Sequence, residues 1–72
     1  MNADLYVGQV RQVTGEYLYS WDHMGNTYTL IRPDNKFIVY KKCVGRIWCI
    51  IFANTTKRYV KESDLFKSTM AI

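Results

Sequence analysis

Residues 36–61 read KFIVYKKCVGRIWCIIFANTTKRYVK, and the class of fold follows from how this stretch is punctuated. β-Branched and aromatic residues fill it, and breaks fall at Val44-Gly45 and Asn54-Thr55-Thr56. Turn residues and alternation organise it, not helical spacing. Three strands are expected, at residues 36–42, 46–53 and 57–61, the first two close enough in sequence to form a hairpin. The middle segment, RIWCIIFA, is apolar on both faces, which suits a central strand covered on two sides.

The same grammar extends outward. On the N-terminal side, a strand is expected over residues 6–13, closed by Thr14-Gly15. A second, over 16–21, places Tyr17, Tyr19 and Trp21 on one face and Leu18 on the other. Gly25-Asn26 supplies a turn, and a third strand over 27–31 ends at Arg32-Pro33-Asp34-Asn35, where proline removes a ladder donor. On the C-terminal side, Ser63-Asp64-Leu65-Phe66 suits the capped start of a single helical or 3₁₀ turn. Residues 67–72 then read as a frayed tail behind one domain of residues 1–66. Five to six short antiparallel strands in so few residues make an all-β class the expectation, bent into a small barrel that hides its edges.

A chain of 72 residues buries only about 60% of the surface its unfolded form exposes, so the core has little surplus stability. With 49% apolar and 15% aromatic residues it still belongs with folding chains and not with disordered ones. The longest apolar run, residues 47–53, is far short of the roughly 20 residues that span a bilayer. The opening Met-Asn-Ala-Asp-Leu-Tyr has neither the basic segment nor the apolar stretch of a leader, so the expected location is cytoplasmic and no membrane partner is expected. Thiols stay reduced there, and the Asn54-Thr55-Thr56 sequon reads as a turn only. Size and basicity together suit a complete short gene product of the kind phages and mobile elements encode.

Trp48, Ile51, Asn54, Tyr59, Val60, Ser63 and Leu65 follow the spacing seen at the end of bacterial SH3 domains, and over residues 48–65 the chain resembles that family. Thr55 and Arg58 stand where the family usually has turn glycines. The segment Val10-Arg11-Gln12-Val13-Thr14-Gly15-Glu16-Tyr17 is similar to the opening of the KOW motif of ribosome- and polymerase-associated barrels. Both resemblances imply an SH3-like barrel with a terminal 3₁₀ turn. The paired tryptophans and the Ala-Leu-Tyr-Asp-Tyr-like segment of peptide-binding SH3 domains are absent, so proline-rich ligands are not expected.

Charge placement carries the functional expectation. Residues 36–61 hold Lys36, Lys41, Lys42, Arg46, Lys57, Arg58 and Lys61 with no acid among them. The first 35 residues carry Arg11 and Arg32 against Asp4, Glu16, Asp22 and Asp34, and the last 11 carry Lys67 against Glu62 and Asp64. A basic segment flanked by mildly acidic ones steers polyanions. Alternation sets Lys57, Tyr59 and Lys61 on one face of the last strand, and Tyr40 and Lys42 together on theirs. Aromatic rings beside ammonium groups stack bases while the lysines neutralise phosphates. The expected contact surface is therefore Tyr40, Lys42, Arg46, Lys57, Arg58, Tyr59 and Lys61, and the expected partner is nucleic acid or an acidic protein surface. The competing account gives these lysines only a solubilising role on exposed strands.

A second function class, a protein-binding adaptor or an inhibitor that blocks a host protein, fits the six tyrosines, which give large contact area at small entropic cost. Tyr17, Tyr19 and Trp21 would serve as its patch, although core packing is the preferred role for these rings. Homodimerisation through a strand edge is a third reading. No enzyme is expected: His23 is the sole histidine, the glycines are scattered, and no carboxylate pair stands out. Cys43 and Cys49 read as small buried hydrophobes without disulfide or metal, so no cofactor and no small-molecule substrate are expected.

Overall fold

The computed structural model describes residues 4–72; residues 1–3, on which part of the leader reading falls, lie outside it. Seven strands are laid down in chain order: β1 (Val10–Val13), β2 (Leu18–Trp21), β3 (Tyr28–Ile31), β4 (Lys36–Lys42), β5 (Ile47–Ile51), β6 (Lys57–Lys61) and, after the helix α1 (Glu62–Ser68), β7 (Thr69–Ala71). They form one antiparallel sheet in the spatial order β3-β2-β6-β5-β4-β1-β7. The hydrophobic pattern anticipated the middle of this sheet. β4 and β6 occupy the expected residues, and β5 lies at the centre, with Trp48, Cys49 and Ile50 buried.

The sheet curls around a core of Val13, Leu18, Ile31, Phe37, Val39, Trp48, Ile50, Val60 and Leu65, with Leu5 and Phe52 packed against it. Phe37 and Phe52 meet edge to face at 5.9 Å. The barrel expectation holds only in part, because the hydrogen-bonded sheet does not close: β3 and β7 are its two edges. α1 lies against β2, β6 and β7, so a helix and not a strand pairing covers that side. Leu65, fully buried, is the residue by which α1 enters the core.

Three expectations at the ends need correction. Residues 6–9 are not part of the first strand: Gly8, at φ 94°, turns the chain, with Gln9 N–H donating to the Tyr6 carbonyl. The helix runs two turns, and Lys61 holds the cap position without a side-chain bond, so Ser63 lies inside it and caps nothing. The tail does not fray, because residues 69–71 pair with β1 and Ile72 N–H donates to Val10 O.

Besides the ladder, that last strand is tied down by Arg11, a charged side chain only 4% exposed. Its Nε donates to Thr69 Oγ1 at 2.7 Å, Nη1 to Gln9 Oε1 at 3.0 Å, and Nη2 to Thr69 O at 3.2 Å and Leu65 O at 3.5 Å. Burial lowers its pKa from the ordinary arginine value, yet a guanidinium stays charged at any physiological pH. Carbonyls near the helix C-terminus, where the backbone dipole is negative, stabilise it in place of a carboxylate.

Candidate functional site

In an antiparallel ladder, residues directly opposite share a face. β6 therefore presents Lys57, Tyr59 and Lys61 outward, opposite Ile51, Cys49 and Ile47 of β5, while Val60 and Arg58 face inward opposite Trp48 and Ile50. On the other side of β5 the register slips: Val39 pairs with Ile50, but Lys41, two residues on, pairs with Cys49. Tyr40 and Lys41 thus oppose one residue in a β-bulge, and the strand's alternation is reset there.

The bulge corrects one expectation. Lys42 does not share the face of Tyr40: it pairs with Trp48, and its Nζ lies 5.5 Å from the Trp48 ring centroid. Lys41 takes its place on the outer face. Sequence alternation missed Lys41 because a bulge leaves no mark in the residue pattern of an otherwise regular strand.

The outer face gathers Tyr40, Lys41, Lys57, Tyr59 and Lys61. Lys57 Nζ stands 4.9 Å from the centroid of the Tyr40 ring, a cation–π pair. Tyr59 OH lies 3.3 Å from His23 Nδ1, and the two rings are 5.8 Å apart. Two of the expected contact residues fall elsewhere besides Lys42. Arg58 points to the opposite side of β6, donating from Nε to Ser20 Oγ at 3.0 Å and from Nη2 to Ser20 O at 3.2 Å. Arg46 sits in the β4–β5 turn at φ 61°, sharing a hollow with Lys61 and Glu62.

Beside the lysines lies a band of rings. Because Trp21 pairs with Tyr59, β2 and β3 continue the outer face with Tyr19, Trp21, Tyr28 and Leu30. Tyr28 stacks at a tilt on Tyr19 at 5.7 Å and on Trp21 at 5.5 Å. Tyr17 and Tyr19 are each 52% exposed, which overturns their preferred role in the core. The core is made instead by aliphatic residues together with Phe37 and Trp48.

This layer of rings and lysine stems also explains the second covered face of β5. Cys49 points outward yet is only 2% exposed. Burial pushes its thiol pKa up, and desolvation likewise raises the phenol of Tyr59 on the neighbouring strand. Both groups have folded-state values above their unfolded ones. The stability they contribute is therefore present below the unfolded thiol value of about 8.5 and is lost as pH rises through the folded one. Thermal melts should accordingly show a Tm that declines from pH 8 upward. At pH 8 a thiol reagent should modify half-buried Cys43 rapidly and Cys49 only through opening of the fold; equal rates would contradict this covering layer.

Two acids adjoin this surface in sequence, Glu62 after Lys61 and Asp22 after Trp21; Glu62 accepts from Trp48 Nε1, and Asp22 is engaged within its own loop. Desolvation alone would raise its carboxyl, but hydrogen bonds from Thr27 Oγ1 and the Asn26 backbone bring it below the usual value and shape the β2–β3 loop. Among the described residues no cluster of three or more His, Cys, Asp or Glu could hold a metal, and no helix is long and apolar enough to cross a membrane. Compared with known proteins, the chain matches no family model, no curated protein and no solved structure.

Proposed function

We propose that this protein is a small, non-enzymatic binding module that takes single-stranded nucleic acid across its outer sheet face. One observation carries the proposal: strand register and the β4 bulge bring Tyr40, Lys41, Lys57, Tyr59 and Lys61 onto one solvent-facing surface. Tyr40, 45% exposed, offers a ring for a base, and the three exposed lysines offer charge to the phosphates. The exposed rings of Tyr19 and Tyr28 continue the stacking platform. The short helical segment ahead of the last strand supports an SH3-like small barrel whose closing strand is replaced by α1, and a cytoplasmic location accords with such a ligand.

Fluorescence anisotropy with a labelled single-stranded oligonucleotide tests this. Each phosphate neutralised contributes about −0.7 to the slope of log affinity against log salt, so three to five contacts predict a slope between about −2 and −3.5. A flat slope, or no binding at low salt, would reject it.

A second reading, an adaptor that docks on an acidic protein, is favoured by the ring cluster of Tyr19, Trp21 and Tyr28, which suits a protein interface as well as a base. Capture of one stoichiometric protein from nuclease-treated host extract, with the salt slope absent, would place it first.

A further inference from the structure

On the inward side of β6, a cleft of about 760 Å³ opens between β3 and its following turn on one flank and the β5–β6 turn on the other. Its charge is one-sided. Arg32, Lys36 and Arg58 line it with no acid, whereas each of the other three hollows described among these residues contains Asp or Glu. Ile31 and Phe52 supply part of an apolar wall beside these cations.

Arg58 is built into this cleft. Half-buried, it is held by two bonds to Ser20, which is itself fully buried and donates from Oγ to Thr29 O at 3.1 Å. A guanidinium carries five N–H donors, and those two bonds leave three. They belong to Nη1 and Nη2, the fork that matches two oxygens of a phosphate. Thr56 and Asn54 line the same cleft and bring an uncharged hydroxyl and amide to its wall, the Asn54 Oδ1 already accepting from Thr56 N–H at 3.0 Å. A fixed guanidinium fork, two further cations at the rim and neutral polar groups around them suit a compact, multiply charged oxyanion.

We propose that this cleft is a phosphate-binding site, with Arg58 gripping the oxygens and Arg32 and Lys36 neutralising the remaining charge. It goes beyond the outer-face assignment, from which the alternation of β6 separates it. The phosphate belongs either to a free phosphomonoester or to the terminal phosphate of a nucleic-acid strand.

Titration of the ¹⁵N-labelled protein with inorganic phosphate at constant ionic strength tests it. Saturable shifts are expected at the Arg58 side chain and at the Ser20 and Thr56 amides. Arg58→Lys keeps the charge but loses the fork and should weaken binding roughly tenfold, the value of one charge-assisted hydrogen bond. Should Arg58→Lys disturb the fold, Arg32→Gln with Lys36→Gln, both exposed, should weaken binding by a similar factor with the spectrum otherwise intact. A nucleoside 5′-monophosphate and paired oligonucleotides with and without a 5′-phosphate separate the sources. A strand-end site prefers the phosphorylated oligonucleotide, and a site for small ligands binds the mononucleotide while ignoring the strand's end. Replacing Lys41, Lys57 and Lys61 with Gln should change phosphate affinity less than about threefold at 0.15 M salt, where charges on the far face are screened. That variant distinguishes failure here from failure of the outer face. Absence of saturable shifts, shifts confined to the outer face, or unchanged affinity in both cleft variants would overturn the proposal.

Discussion

Arg11→Ala should destabilise the domain by about 3–5 kcal/mol, enough to unfold much of the population of so small a protein. The substitution strips partners from Gln9 Oε1 and Thr69 O, at about 1–3 kcal/mol for each buried acceptor left unmade, and opens a cavity beside α1. Arg11→Met restores much of the volume but none of the donors, so it should recover only the packing part. Urea denaturation followed by tryptophan fluorescence measures both. A loss below about 1 kcal/mol for Arg11→Ala would mean that water substitutes for the guanidinium. Because Arg11 joins β1 to Thr69, amide exchange in residues 69–71 should accelerate before the rest of the sheet in any variant that still folds.

Reversing Lys41, Lys57 and Lys61 to Glu should abolish micromolar binding of single-stranded nucleic acid while leaving the melting temperature nearly unchanged. All three are exposed on the outer face, and surface substitutions rarely shift stability by more than about 0.5 kcal/mol. The milder Gln triple variant should retain binding at low salt with a log–log slope shallower by about 2, reflecting three lost phosphate contacts. Lys42→Glu is the informative control. Its neighbour is Trp48, whose Nε1 donates to Glu62 at 3.1 Å, so it lies on the other face and should scarcely affect the slope. If Lys42→Glu costs as much as Lys57→Glu, the outer face is not the contact surface.

The interior of this fold was legible in the sequence because alternation and turn residues dominate it. RIWCIIFA announces a central strand, and the breaks at Gly45 and Asn54-Thr55 are where the chain turns. The ends were not legible, since their order comes from distant partners. Nothing local shows that Arg11 will reach 58 residues along the chain to Thr69 and hold a strand there. The tyrosines of β2 were misassigned for a related reason. Alternation groups Tyr19 with Trp21 but does not say which face is inside, and the choice falls to Leu18 and Ser20, which are fully buried. For the candidate surface, the β6 residues followed from period two alone. The exchange of Lys41 for Lys42 depended on a bulge, whereas the separation of Arg58 follows from the same period of two, which sets it opposite Ile50 and away from Lys57 and Tyr59.

The bulge at Tyr40 and Lys41 is in effect a phase shifter placed between two functions of one strand. Upstream of it, β4 supplies Phe37 and Val39 to the interior; downstream, the parity is inverted, so that Lys42 shelters Trp48 and Cys43 turns outward. Removing either of the two residues would restore a regular ladder, the one that remains standing alone opposite Cys49 while Lys42 keeps Trp48 as its partner. What would be lost is a single outward side chain, a phenol or an ammonium group. The extra residue therefore serves the surface and not the interior: it fits two chemically different side chains into the space of one.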